Sequence, residues 1–158
     1  MEALLLIFPL LIFLPSSGMA ADSQADERSF KAELSGSQEV PPVNTKATGE
    51  ATFQFNMVAD RLTYRVTLKG IANVTAAHVH QGQKGKNGPP VATLFTEPKK
   101  PAISGTLYVE GRIRAYELIG PLKEKALQSL VEMIEAGDTY LNVHTTKHPE
   151  GEIRGQIK

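Results

Sequence analysis

Two neighbouring segments of the chain alternate strictly between apolar and polar side chains. Alternation with a period of two is typical of strands that have one buried and one solvated face. Only residues 59–61 separate the two segments, so the pattern predicts an antiparallel β-hairpin. Its apolar positions are Ala51, Phe53, Phe55 and Met57 in the first strand, and Leu62, Tyr64, Val66 and Leu68 in the second.

Shorter apolar runs, separated by turns rich in glycine and proline, extend this pattern along the chain. Together with the hairpin they amount to about eight short strands, which predict an all-β antiparallel fold, a Greek-key sandwich or barrel. The further strands are expected at 30–34, 76–82, 91–95, 139–144 and 152–157, with one or two more within 105–116.

One segment, residues 121–136, has helical periodicity. Pro121 suits the first position of a helix and Gly137 the position just past its end. Such a stripe could bind a partner, but apolar stripes usually face their own core, so we expect this helix to cover one open end of the sandwich. The stripe consists of Leu122, Ala126, Leu130, Met133 and Ile134.

The N-terminal segment differs in composition from the rest. Residues 1–20 contain an apolar run followed by small residues, which is typical of a signal peptide and too short for a comfortable membrane span. We therefore expect an exported protein, periplasmic or extracellular, with no membrane segment in its mature form. A disordered lead-in at 21–29 would precede one domain at 30–158. An uncleaved anchor is the alternative, since Glu2 replaces the usual positive charge.

Composition limits the partners and the stabilising chemistry. Lys plus Arg and Asp plus Glu number 17 each, so no global charge favours nucleic acid or an anionic membrane. The chain has no Cys, which excludes disulfide bonds and thiolate ligands. Packing, or a bound metal, must therefore stabilise the exported domain.

The four histidines fall in two places. His78 and His80 are two apart on one predicted strand, so both imidazoles leave the same face, while His144 and His148 lie in the last strand-and-turn region. A solvated polar face would explain an isolated pair. The confinement of all four to two motifs favours a metal site, and nitrogen-rich sites tend to bind Cu(II) most tightly. An exposed turn explains His148 as well as a ligand role does.

The last hairpin contains residues that could support such a site. If it is symmetric about its turn, Asn142 faces Arg154 and His144 faces Glu152. Asn142 and Glu152 could then orient a ligand imidazole through its other nitrogen. Arg154 could lie on the surface, bond Glu152 or Asn142, or attract an anion to the site.

Several separated motifs resemble the CHRD domain, the module first described in chordin, in the right order over about residues 30–158. The family name does not by itself supply an activity. The motifs are Leu34-Ser35-Gly36 with Glu39-Val40-Pro41-Pro42, Ala77-His78-Val79-His80-x-Gly82, Gly85-x-Asn87-Gly88-Pro89, Tyr140-Leu141-Asn142-Val143-His144-Thr145 and Pro149-x-Gly151-Glu152-Ile153-Arg154-Gly155-Gln156.

The His-Val-His-x-Gly segment also resembles the copper-binding strand of copper–zinc superoxide dismutases. That resemblance implies copper ligands at His78, His80 and His144, and a role for Arg154 in guiding superoxide. No His, Asp or Glu occurs between Gln81 and Leu94, so the loop that would hold zinc is effectively absent. We expect one copper ion per chain and no zinc, with His148 as our own candidate for a fourth ligand.

Three functions follow from these observations. The first is a zinc-free copper superoxide dismutase, whose substrate is a small anion. The second is a copper carrier or buffer that holds the ion in a closed site without turnover. The third is an extracellular binding module whose histidines are incidental. A homodimer is possible in each case.

Overall fold

The computed structural model describes residues 27–96 and 105–158, which form eight strands and one α-helix. The predicted signal peptide and the start of the lead-in lie outside the described residues. The elements are β1 Glu27–Ser35, β2 Thr48–Asn56, β3 Arg61–Lys69, β4 Val74–Gln81, β5 Pro90–Phe95, β6 Thr106–Ile113, α1 Leu127–Glu135, β7 Thr139–Thr145 and β8 Ile153–Gln156.

All eight strands belong to one antiparallel sheet that curls into a nearly closed barrel. Their order is β5-β4-β7-β8-β1-β2-β3-β6, and each neighbouring pair is antiparallel. The edge strands β5 and β6 face each other across the opening. The buried Tyr64 of β3 links the two sides, because its hydroxyl donates a 2.6 Å hydrogen bond to the Leu94 carbonyl of β5. The all-β antiparallel prediction is confirmed.

The predicted hairpin is β2 and β3, with Phe53 opposite Tyr64 and Phe55 opposite Leu62. Several strands differ from their predicted limits by a few residues, as β2 and β1 illustrate. Met57 does not extend the inward row, because β2 ends at Asn56, whose side-chain oxygen accepts the Ala59 amide and closes the turn. β1 begins at Glu27, three residues before the strand predicted at 30–34 and within the predicted lead-in.

The helix begins later than its periodicity predicted. Pro121 lies in a separate 3-10 turn, and Glu124 adopts a φ of 65°, which interrupts any helix from 121. Upstream, the Ile119 amide donates to the Val91 carbonyl, tying this segment to β5. The end is as predicted, since Gly137 follows with a φ of 72°.

The apolar face of α1 packs against the barrel. Leu127, Leu130, Val131 and Ile134 are buried within the same core as the inward-facing strand residues. An Arg28–Glu135 ion pair of 2.9 Å attaches the helix to the start of β1. The stripe therefore faces its own core. Among the described residues, no helix is long and apolar enough to cross a membrane.

Candidate metal centre

The candidate site lies on the outer face of the barrel, where β4, β7 and β8 run side by side. His78 lies opposite Asn142 on β7, and Asn142 lies opposite Arg154 on β8. The latter pairing confirms the register predicted for the last hairpin. All seven residues of β7 are buried, so this outer face is covered although its residues are polar.

Three histidines meet on this face. His78 and His80 project from β4 and His144 from β7, and each offers a ring nitrogen that lies within 4.8 Å of the other two. The ring centroids are 5.0 Å apart for His78 and His144, 5.9 Å for His78 and His80, and 6.1 Å for His80 and His144. The predicted convergence of the His-x-His strand with His144 is therefore present in the fold.

Backbone carbonyls fix the tautomers of two of these rings. His80 Nδ1 lies 2.8 Å from the Gly88 carbonyl oxygen, and His144 Nδ1 lies 2.9 Å from that of Pro149. A carbonyl oxygen can only accept, so each Nδ1 carries the hydrogen and each neutral ring keeps its lone pair on Nε2. Both Nε2 atoms are buried and have no hydrogen-bond partner among the described residues. Two unpaired lone pairs therefore occupy a site where a cation could satisfy them.

Burial keeps the three imidazoles neutral. Desolvation lowers the pKa of His78 to about 4, with further lowering by His144 and His80. Desolvation is also the main cause that lowers the pKa values of His80 and His144, against the opposing effect of their bonds to Gly88 and Pro149. Neutral imidazole is the form that binds metals, so the cluster is ready to act as a ligand set at neutral pH.

His148 does not join this group. It lies in the turn after β7, where its amide donates to the Thr145 hydroxyl and its carbonyl accepts from the Thr145 and Gly151 amides. The backbone of His148 thus shapes the turn that presents the Pro149 carbonyl to His144. The cluster of mutually close ring nitrogens consists of the other three histidines.

Arg154 is only 2% exposed and is not a surface residue. Its guanidinium donates to the Asn87 side chain at 2.8 Å and to the Lys86 carbonyl at 2.6 Å. Its carbon atom Cζ also lies 3.7 Å from the centroid of the Tyr140 ring. These partners differ from the predicted ones, Glu152 and the Asn142 side chain, because the loop after β4 folds back over β8.

The two predicted supporting residues bond elsewhere. Glu152 accepts hydrogen bonds of 2.7 Å from the hydroxyls of Thr45 and Thr145. The side-chain amide of Asn142 donates a 3.2 Å hydrogen bond to the Glu150 main-chain carbonyl. The rings of His80 and His144 are oriented instead by main-chain carbonyls, which side-chain patterns do not reveal. Sequence reasoning therefore missed Gly88 and Pro149, although both stand within the quoted motifs.

Sequence reasoning also missed Tyr140 and Glu39. The Tyr140 ring stacks on His80, with centroids 5.0 Å apart and an interplanar angle of 17°. The Glu39 carboxyl is buried against this face, and desolvation raises its pKa to about 7 although the positive charge of Arg154 lowers it. A glutamate in a turn that ends in two prolines gives no sign in the sequence of being buried.

Comparison with known proteins identifies the family. The family model of the CHRD domain matches residues 30–157, which include every strand from β2 to β8, α1 and all the site residues described above. No curated protein matches the chain significantly. Since the matched segment covers most of the sequence, the protein belongs to the CHRD domain family.

Proposed function

We propose that this CHRD-domain protein is exported and binds one copper ion through His78, His80 and His144. The observation that carries the proposal is the pair of buried, unpartnered Nε2 atoms on His80 and His144, beside the ring of His78. Leaving buried polar atoms unpaired costs free energy, on the order of 1–3 kcal/mol each. A cation shared by the three rings removes that cost.

The donor set favours copper. Three neutral imidazoles without a thiolate suit copper, zinc, iron or nickel, and affinity at nitrogen-rich sites tends to be greatest for Cu(II). The lowered pKa values of the rings mean that few protons compete with the metal at neutral pH. Because imidazole also binds zinc, Zn²⁺ is the appropriate competing metal in a binding experiment.

Superoxide dismutation is the activity that we propose for the bound state. When bound, copper supplies the one-electron chemistry that this reaction requires. The protein would hold three imidazoles in place and admit superoxide to the site, and water would supply the protons. The half-buried state of His78 and His80, with His148 outside the cluster, favours this open arrangement over the closed site of a carrier.

The metal proposal is tested by titrating the mature protein with Cu(II) and recording its electron paramagnetic resonance spectrum. We expect one tight site with a nitrogen-rich spectrum. His78→Ala should weaken binding at least 100-fold, since one of three ligands is lost, whereas His148→Ala should change it less than twofold. Absence of tight stoichiometric binding would favour a binding module with incidental histidines. Equal effects of the two substitutions would refute the ligand assignment.

Catalysis requires its own measurement. Copper-loaded protein should remove superoxide faster than the same concentration of free copper, and His78→Ala should abolish the difference. Tight binding without such activity would favour the carrier.

Assays of Arg154→Met across a range of ionic strength test the predicted guidance of the anion. N-terminal sequencing of the secreted protein tests the proposed removal of residues 1–20.

A further inference from the structure

Three side chains form a stack that extends from the proposed metal site across the outer face of the sheet. The His80 ring lies against the Tyr140 ring, 5.0 Å between centroids and 17° from parallel. The Arg154 guanidinium also packs on Tyr140, with Cζ 3.7 Å from the ring centroid. The three residues come from β4, β7 and β8, which are adjacent in the sheet. Stacking and cation–π contacts of this kind stabilise a fixed arrangement of rings.

The same residues fasten the loop between β4 and β5. Arg154 donates to the Asn87 side chain and to the Lys86 carbonyl. The Tyr140 hydroxyl accepts from the Gly88 amide at 3.2 Å and lies 3.4 Å from the Gly88 carbonyl oxygen. At the base of the loop, the Gln81 amide donates to the Pro89 carbonyl at 2.9 Å. These bonds fall on four consecutive residues, 86–89.

The loop in turn determines which nitrogen of His80 carries the hydrogen. The Gly88 carbonyl is the acceptor for His80 Nδ1, so its position keeps the lone pair on Nε2, toward the cluster. Position 88 admits no side chain, because a Cβ there would collide with the Gln81 carbonyl oxygen. The carbonyl that selects the tautomer is therefore closely confined on one side by β4 and on the other by the bonds from β8.

We propose that Arg154 is a positioning residue that holds the loop at residues 86–89 and thereby fixes the tautomer of His80. A buried guanidinium is costly unless it is fully hydrogen-bonded, and this one directs its bonds to the loop that carries the acceptor of His80. Outer groups that orient a ligand imidazole typically change metal affinity 10- to 100-fold when they are removed. The expected consequence for metal affinity rests on the metal site proposed above.

His144 provides an internal reference for the test. Its Nδ1 acceptor is the Pro149 carbonyl, in the turn between β7 and β8. The contacts of Arg154 described above involve the other loop. Loss of Arg154 should therefore release the ring of His80 and leave that of His144 in its original tautomer.

The experiment records two-bond nitrogen–proton correlations of the histidine rings in metal-free protein labelled with ¹⁵N. In the wild type we expect both His80 and His144 as single Nδ1–H tautomers. Arg154→Met should give His80 a mixture of tautomers and leave His144 unchanged. Asn87→Ala removes one of the two acceptors of Arg154 and also the 2.9 Å bond from the Asn87 side chain to the Val40 carbonyl, so it should act in the same direction. Gln83→Ala, in the same loop but outside residues 86–89, is the matched control.

Copper titration of the same variants gives the second readout. We expect about a tenfold loss of affinity in Arg154→Met and none in Gln83→Ala. If His80 keeps a single Nδ1–H tautomer in folded Arg154→Met, the inference is wrong. If Arg154→Met does not fold, an unchanged His80 in Asn87→Ala overturns it equally. A shift of tautomer in a protein that binds no copper would uphold the positioning role and refute the proposed function.

Discussion

Two parts of the outer barrel surface have the same alternating pattern and opposite environments. On β3 and β6, Arg65 and Glu110 form a 3.6 Å ion pair whose side chains are 81% and 78% exposed. On β8, Arg154 is 2% exposed and is bonded to a loop. The difference arises because loops cross the outer face of β4, β7 and β8, while Arg65 and Glu110 stay open to solvent. Polar residues on a strand therefore become structural when another segment covers them.

The largest expected difference is in the free energy of unfolding when each of the two arginines is replaced. Arg154→Met should lower the free energy of unfolding by about 3 kcal/mol, because charge-assisted hydrogen bonds are lost and their acceptors become unpaired. Arg65→Met should change it by less than about 0.5 kcal/mol, as expected for an exposed ion pair. Urea unfolding of both variants measures the difference. Similar values for the two would mean that the covering loop contributes little.

Glu39 should have a pH-dependent effect of at most about 3 kcal/mol, since one pKa unit corresponds to about 1.4 kcal/mol. Its pKa is raised from 4.5 to about 7, so between these values the folded protein holds a proton that the unfolded chain has released. The contribution of this carboxyl to stability is therefore present below about pH 4.5 and is lost as the pH rises through 7.

Glu39→Gln remains neutral at every pH. Relative to the wild type, it should become progressively more stable between pH 4.5 and 8 in urea unfolding experiments. Glu50→Gln, at an exposed position on β2, should keep the wild-type profile. Parallel profiles for wild type and Glu39→Gln would contradict the raised pKa.

The smallest expected difference in stability, about 1 kcal/mol, is between substitutions of two threonines. The Thr45 hydroxyl donates to the buried Glu152 carboxylate and accepts from the Ala47 amide at 3.1 Å. Thr45→Val should therefore lower the melting temperature by several degrees. Thr52→Val, at an exposed position on β2, should leave it nearly unchanged. A larger effect at Thr52 would contradict the proposed distinction between the covered and the open parts of the outer surface.

The predictions that succeeded concern residues close together along the chain. Alternation gave the antiparallel hairpin of β2 and β3, and symmetry about a short turn gave the pairing of Asn142 with Arg154. The helix start was wrong because leucines at 122 and 127 are both buried but belong to different turns. The periodicity of apolar residues indicates which positions are buried. It does not indicate that the helical backbone is interrupted at Glu124.

The candidate site was predictable as far as its three clustered histidines. His78 and His80 share a face by strand geometry. Their motif, together with that of His144, predicted that the three imidazole rings lie close together. The sequence did not reveal the carbonyls of Gly88 and Pro149 that set the tautomers, since main-chain groups have no residue-specific signal. It also predicted His148 as a ligand, because four residues of separation cannot distinguish a side chain beside the cluster from one in the turn.

By itself, the sequence determined most of the strands, the register of the last hairpin and the residue types available for a metal, because these depend on side-chain chemistry and on local spacing. Only the tertiary structure decided that the outer face of β7 and β8 is largely buried and that of β4 half-buried, that Arg154 bonds the loop at 86–89, and that Glu39 lies against this face. The contacts of Arg154 with the loop join residues that are 67 or more apart in the chain, as between Arg154 and Asn87. Such contacts depend on how the whole barrel closes, which no local pattern specifies.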